Sequence, residues 1–414
     1  MTKSVAIMHF AAPPIIGGVE STIYHHARLL AEVGYEVTVI AGRGESFHPE
    51  VEVQIIQEID SRHPFVLEVG NELARGEVSS QFSLIRDNLI EQLQPILANI
   101  DVCIVHNAIT LHKNLPLTAA LQRLNEQTDI PLIAWCHDFA WQDPLYTPDL
   151  HTGYPWDLLN TPWPGIQYVV VSTHRRDRLA DLFDVPPQEI QVIHPGVDTD
   201  RFYKLEPLTQ RLVQELLLHQ ANPLLLLPAR ITRRKNIQFR IRVTAALKQT
   251  YSQVALVITG PPGPHNPKNI TYLESLNDLR HELEIESSVH FLYEHGVGDK
   301  PLRVPDEVVA DFYHLADAMF FPSRREGFGI PVLEAGLARI PVFAANIPTV
   351  LESAGEFAHL FNPDNDPEIV AKFIRDTLES DQAYQLRQRV LDKFTWRAIL
   401  KNDLIPLIEK VGSK

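Results

Sequence analysis

Cysteine is almost absent from this sequence, and long apolar runs are missing altogether. Only Cys103 and Cys136 occur in 414 residues. Each lies inside an apolar stretch, which rules out a disulfide framework and reads as two buried, reduced thiols in a reducing, cytoplasmic setting. No stretch approaches the roughly 20 apolar residues that cross a bilayer; the strongest, Pro223 to Ala229, is only strand-length. The opening run Val5–Phe10 is too short for a signal peptide and reads as a first strand. Positive charge is also scarce, with 37 Lys and Arg against 52 Asp and Glu and a formal net charge of -15. That balance excludes wholesale nucleic-acid binding, which needs clustered cations on an accessible face. Zinc-ligand spacing, a P-loop and a G-x-S-x-G elbow are all missing, and Asp198-Thr199-Asp200 and Asp364-Asn365-Asp366 follow no apolar strand, so they read as turns. Nothing here calls for a metal or a cofactor.

What is present is a repeated α/β pattern. The length favours two domains. Short β-rich runs, Val5–Phe10, Glu36–Ala41, Val102–His106, Leu132–Cys136 and Tyr168–Ser172, alternate with helical patterns. This is the signature of βαβ units and a parallel sheet. The spacing predicts a helix over Ser21–Val33, capped by Ser21 and stopped by Gly34. A second series, Leu224–Leu227, Val254–Thr259, Val289–Leu292, Ala318–Phe321 and Ile340–Ala344, repeats the architecture. The turn Ile193 to Asp198 and the polar stretch to about Gln220 lie between the two series. They predict domains of residues 1–205 and 206–394, with a final helix over about 395–414 belonging to the first. Tyr146 to Pro164 has no period and reads as a loop.

The densest signal is Arg324-Arg325-Glu326-Gly327-Phe328-Gly329-Ile330-Pro331-Val332-Leu333-Glu334, after the run ending Phe321-Pro322-Ser323. It reads as strand, glycine turn and helix, with Gly327 and Gly329 admitting close backbone approach and the helix start offering unpaired N–H groups to an anion. Glu326 and Glu334 lie near the same helix end and can accept hydrogen bonds from vicinal hydroxyls. A lone glutamate there would more simply complement the helix dipole. A second signal, Arg230 to Asn236, directly follows the first strand of the second series. Arg230 and Lys235 suit a diphosphate, whereas Arg233 and Arg234 read as solvated. Gly17-Gly18 sits between the first strand and the first helix, a further helix-start anion site or simply a tight connection; it lacks the G-x-G-x-x-G dinucleotide fingerprint. His137-Asp138 follows Leu132–Cys136, so His137 is a candidate proton-transfer or contact group, although such a pair is more often a capped turn.

Together these segments resemble the retaining glycosyltransferases of family 4, which have the GT-B fold. The resemblance spans nearly the whole chain and rests on Gly17-Gly18-Val19-Glu20, Pro195-Gly196-Val197-Asp198, Arg230 with Lys235-Asn236, Thr259-Gly260-Pro261, the Glu326-to-Glu334 element and Phe394-Thr395-Trp396. It implies two Rossmann-like, doubly wound domains facing across a cleft, with a C-terminal helix crossing back to the first. It also implies a metal-independent transfer of a hexose from a nucleotide-diphosphate sugar. By the same resemblance Arg230 and Lys235 would hold the diphosphate, Glu326 with the backbone of Gly327, Phe328, Gly329 and Ile330 the sugar, and Glu334 the ribose. His137 would face the sugar, and Gly17 and Gly18 would lie near the phosphates or the acceptor.

Two segments depart from the family pattern, Gly260 to Tyr272 and Gly296 to Pro305. Similar extensions occur in members that make small disaccharides or glycosides. The first helix lacks a basic amphipathic face, and the best basic cluster, His174-Arg175-Arg176-Asp177-Arg178, reads as a solvated helix end. A small soluble carbohydrate acceptor is therefore expected, with weak peripheral membrane contact left open. A catalytically silent sugar-nucleotide-binding module, an epimerase and a phosphorylase remain the alternatives.

Overall fold

The computed structural model describes residues 3–128, 130–298 and 300–413. Met1 and Thr2 of the opening segment, Asp299 of the 296–305 loop and Lys414 of the last helix lie outside them. The chain divides into two compact units, Met1–Val197 with Lys393–Lys414, and Asp198–Asp392.

The first unit is built on seven parallel strands: β1 (Ser4–His9), β2 (Glu36–Ala41), β3 (Val51–Ile55), β4 (Val102–His106), β5 (Leu132–Cys136), β6 (Gln167–Val170) and β7 (Ile190–Val192), in the order β3-β2-β1-β4-β5-β6-β7. Every residue of β4 and β5 is buried. Continuous apolar runs such as VCIVH are what a parallel strand covered on both faces requires. In β1, Val5 and Ile7 enter one core cluster while Ala6 and Met8 enter the other. The C-terminal segment completes the first of these: Trp396, Ile399, Leu404, Leu407, Ile408 and Val411 pack with Val5, Ile7, Val37 and Val102. The approach of that segment is close enough to need a glycine, since a Cβ on Gly196 would sit 2.7 Å from the Trp396 ring.

The second unit carries β8 (Leu224–Leu227), β9 (Ala255–Ile258), β10 (Val289–Phe291), β11 (Ala318–Phe321), β12 (Val342–Ala345) and β13 (His359–Phe361), all parallel in the order β10-β9-β8-β11-β12-β13. Both sheets thus run outward from a first strand and reverse beside it, between β1 and β4 and between β8 and β11. Open α/β sheets bind ligands beyond the strand ends at such a reversal.

Several sequence expectations need correction. The first helix is Gly18–Glu32 with Gly17 as its cap, because the Ser21 amide already closes onto the Gly17 carbonyl at 3.0 Å. Ser21 is therefore inside the helix, while Gly34, at φ 94°, ends it as expected. The region 146–164 is more than a loop: the 3-10 turn Trp156–Leu159 seats Trp156 and Leu159 in the core, and Trp163 beyond it joins them. The terminal helix is broken into Trp396–Ile399, a π-helical turn Leu400–Leu404, and Ile405–Val411. Pro406 has no N–H for the carbonyl four residues back, and a π turn is one way to absorb that loss.

Candidate functional site

In the second unit the loops after β8 and β11, the two strands at the reversal, meet. Lys235 ends the 3-10 turn Arg233–Lys235, and its Nζ lies 2.6 Å from Glu326 Oε1. Arg234 Nη1 donates to Glu326 Oε2 at 3.0 Å and to the Arg325 carbonyl at 3.3 Å. The Lys235 and Glu326 side chains are only 8% and 7% exposed, whereas Arg234 is 46% exposed. Burial pushes the Glu326 carboxyl up, but Lys235 and Arg234 outweigh it and hold it below the usual carboxylate range. Burial also lowers the Lys235 pKa, against the pull of Glu326. Arg234, expected to be solvated, is therefore part of the cluster, and Arg233 lies over the Tyr272 ring with Cζ 4.9 Å from its centroid. Arg230 is exposed just beyond β8 and makes no side-chain hydrogen bond or ion pair among the described residues.

The chain from Glu326 then turns through Gly327, Phe328 and Gly329 into the helix Ile330–Ala338. Gly329 takes φ 98°, a left-handed conformation that a side chain would strain. No side chain caps this helix, so its first amides keep their donors for an anion. Phe328 and Ile330 are both exposed. Glu334 is the fifth helical residue, a turn further on than a first-turn position. Its Oε2 accepts from the Tyr313 hydroxyl at 2.6 Å, from the neighbouring helix Asp306–Leu315. The two carboxylates thus have separate partners. Thr259-Gly260-Pro261 supports the β8 loop at close range: a Cβ on Gly260 would fall 2.4 Å from the Ala229 carbonyl oxygen.

The first unit gathers imidazoles at the corresponding place. His9 ends β1, His106 ends β4, and His137 follows β5. His9 Nδ1 lies 3.0 Å from the His106 carbonyl, which only accepts, so that nitrogen carries the hydrogen. His106 Nδ1 and His137 Nε2 are 3.2 Å apart and share one hydrogen. Burial holds all of these rings neutral, His137 down at about 4 and His26, beside them on the first helix, down at about 3. Asp138 is not the partner of His137. It pairs with Arg175 at 3.2 Å, while Asn107 Oδ1 accepts the His137 and Asp138 amides at 2.8 and 3.2 Å. His137 is therefore a neutral hydrogen-bonding group rather than a carboxylate-backed acid or base. Gly17 and Gly18 open the first helix, and a Cβ on Gly17 would lie 2.1 Å from Glu20 Oε2, so that helix start carries its own carboxylate. The basic cluster 174–178 is not simply solvated, because Arg175 holds Asp138 and Arg178 binds the Gln142 side chain and carbonyl.

Sequence reasoning missed Arg234, His106 and Asn107. Asn107 carries a readable signal, an asparagine one residue past a buried strand, the residue type that tolerates its φ of 58°.

Residues 16–201 match the model of Glycosyltransferase Family 4, and residues 209–392 that of Glycosyl transferases group 1. The chain belongs to glycosyltransferase family 4. Among curated relatives, it is 24% identical to a mannosylglucosylglycerate synthase of Petrotoga mobilis over 63% of each chain, so the match spans less than two thirds of that relative's length. It is 25% identical to a D-inositol 3-phosphate glycosyltransferase of Corynebacterium aurimucosum, over 80% of this chain and 75% of the other. A solved structure, the sucrose-phosphate synthase of Thermosynechococcus elongatus, covers all of both chains at 17% identity with a TM-score of 0.40. No helix among the described residues of this family member is long and apolar enough to cross a membrane.

Proposed function

We propose that this family-4 enzyme is a retaining, metal-independent hexosyltransferase that uses a nucleotide-diphosphate sugar and a small soluble carbohydrate acceptor. The observation that carries the donor reading is the buried Lys235–Glu326 pair at 2.6 Å, set beside a helix start that no side chain caps. In this reading Lys235 and Arg230 neutralise the departing diphosphate. Glu326, with the backbone of Gly327, Phe328, Gly329 and Ile330, holds the sugar hydroxyls, and Glu334 holds the ribose. Cations and helix amides supply the positive charge that a metal would otherwise bring.

The first unit, with Gly17, Gly18 and the neutral His137, takes the acceptor side. Among the described residues no carboxylate is hydrogen-bonded to the His137 ring, and the adjacent Asp138 is paired with Arg175. The acceptor hydroxyl therefore attacks the anomeric carbon on the face the diphosphate leaves. The carbon–phosphate oxygen bond breaks, the new glycosidic bond forms, and the hydroxyl proton passes to the departing phosphate. Catalysis is then positioning and electrostatics. A soluble acceptor agrees with the internal engagement of the 174–178 cations and with relatives named for glycerate and inositol-phosphate chemistry.

The test is metal-free incubation with a panel of nucleotide sugars, with and without pooled small acceptors, followed by mass spectrometry. Acceptor-dependent release of a nucleoside diphosphate, lost in Glu326→Ala, is the expected result. Donor turnover without acceptor points to an epimerase, a need for inorganic phosphate to a phosphorylase, and binding without turnover to a silent module.

A further inference from the structure

Tyr313 has no part in the donor reading, yet its hydroxyl reaches one of the two carboxylates on which that reading depends. The helix that carries it, Asp306–Leu315, is firmly anchored. Val308 and Phe312 are buried in the core, and the Asp311 carboxylate accepts the Glu206 amide at 2.8 Å and the Thr209 hydroxyl at 2.5 Å. Tyr313 is itself only 5% exposed and packs in the same core. Its hydroxyl lies 2.6 Å from Glu334 Oε2 and 3.3 Å from the Pro331 carbonyl. A phenol has one hydrogen, and the shorter contact takes it. Burial and the Glu334 carboxylate both raise the phenol pKa, so the hydroxyl stays a donor.

Glu334 is a residue of another kind. It is exposed, and as the fifth residue of Ile330–Ala338 it stands beyond the first turn, where the helix dipole fades. An exposed glutamate in such a place ordinarily samples several rotamers. The phenol does not need it, because the Pro331 carbonyl is a second acceptor within reach. Pro331 is the second residue of the same helix, so one buried hydroxyl ties the carboxylate to the uncapped helix start. Glu334 stands four residues, or about 6 Å, along the axis from Ile330. The bond takes one lone pair of Oε2 and leaves the other, with both of Oε1, for a ligand. A vicinal diol can donate to both oxygens of one carboxylate. A carboxylate already held in place receives it with little further loss of side-chain freedom.

We propose that Tyr313 is a positioning residue whose hydroxyl sets the Glu334 carboxylate for the 2′- and 3′-hydroxyls of the donor ribose, and so sharpens selection of ribonucleotides. The inference rests on the reading of Glu334 as the ribose ligand. It explains why a buried phenol is directed at an exposed carboxylate that has no need of it for stability.

The experiment measures by isothermal titration calorimetry the affinity of the full-length protein for UDP, GDP and ADP and for their 2′,3′-dideoxy counterparts. The base that binds best is carried forward to Tyr313→Phe, Glu334→Ala and the double variant. In the wild type the dideoxy form is expected to bind about 10- to 100-fold more weakly, as loss of hydrogen bonds to a charged group implies. Tyr313→Phe weakens the ribose form about two- to tenfold, the effect of freeing one side chain, and leaves the dideoxy form unchanged. In the Glu334→Ala background the same substitution changes neither. Equal weakening of both forms by Tyr313→Phe, as a purely structural role would give, or no weakening of either, overturns the proposal. A Glu334→Ala variant that keeps the wild-type discrimination would instead bring down the ribose reading itself, and this assignment with it.

Discussion

The two sheets share one strand order and end in opposite chemistries. Beyond β8 and β11 the second unit concentrates charge: Lys235, Arg234 and Glu326 bonded together, with Arg240 buried in the helix that follows Lys235. Beyond β1, β4 and β5 the first unit concentrates neutral rings, with His9, His106 and His137 linked through ring nitrogens and one backbone carbonyl. Even the helix starts differ, one supplied with the carboxylate of Glu20 and the other left open at Gly329. The same scaffold therefore makes one region that answers charge on a ligand and one that offers uncharged hydrogen bonding. For the proposed transferase this division suits an anionic nucleotide-sugar donor on the second unit.

The largest effect should come from breaking the charged region. Removing one contact to charge that develops in the transition state typically costs about 100- to 1,000-fold in rate. Lys235→Ala is expected to lose turnover on that scale, and near-normal kinetics would take Lys235 out of the site. The same substitution leaves Glu326 buried without its closest partner, which costs about 3–5 kcal/mol in comparable pairs. Adding Glu326→Leu should then restore Tm but not activity. If the double variant melts no higher than the single one, the pair is not the source of the instability.

The neutral region should be broken by acid. His26 is fully buried and held at about 3, against an ordinary value of 6.5. Between those values the unfolded chain binds a proton that the folded chain refuses, so stability rises with pH there and falls on acidification. The slope is about 1.4 kcal/mol per pH unit, so going from pH 7 to pH 5 removes about 2 kcal/mol for His26 alone. All five tryptophans, Trp135, Trp141, Trp156, Trp163 and Trp396, belong to the first unit. Tryptophan fluorescence therefore follows that unit alone in a urea titration, while circular dichroism follows both. The fluorescence midpoint should fall between pH 7 and pH 5, and His26→Gln should flatten the fall. Equal midpoints at the two pH values would show that the rings are not held neutral by the fold.

A smaller effect separates geometry from bonding at Asn107. Its side chain accepts two amides, and its backbone sits at φ 58°. Asn107→Gly loses the bonds, worth about 1 kcal/mol each. Asn107→Ala loses the bonds and adds a left-handed backbone penalty of about 1–2 kcal/mol. Alanine should therefore be the less stable of the two, and the reverse order in thermal melts would mean that the turn relaxes.

How much of this was legible in the sequence follows from what each element needs. Strands such as VCIVH and LLLL were readable because a sheet covered on both faces demands unbroken apolar runs. The edge strand VEVQI was not, since only part of it is buried and its polar residues break the pattern. Lys235 and Glu326 were found from glycines and strand ends, features of local sequence. Arg234 was not, because a cation in a basic run looks solvated until the fold shows that it reaches Glu326, and nothing in the helical pattern around Arg240 marks it as sealed against Phe320. The tryptophans of 156–163 failed for a related reason, since a segment without period can still fill a core one side chain at a time.

The smallest test concerns the two helix starts. Glu20 lies against the opening of the first helix, where a carboxylate is favoured by the partial positive charge of the free amides. Its charge also acts on His9, so it links the helix start to the ring cluster. Glu20→Gln keeps the shape and removes the charge, which should cost about 0.3–1 kcal/mol at low ionic strength and less as salt screens the dipole. A salt-independent loss would mean that Glu20 acts by packing or hydrogen bonding instead. No gain in affinity for inorganic phosphate is expected in the first unit, because a helix start that has lost its own carboxylate still lacks the cations that surround Glu326. Phosphate protection of the Glu20→Gln variant, seen by tryptophan fluorescence, would break the comparison by showing that one side chain alone keeps the first unit from binding anions.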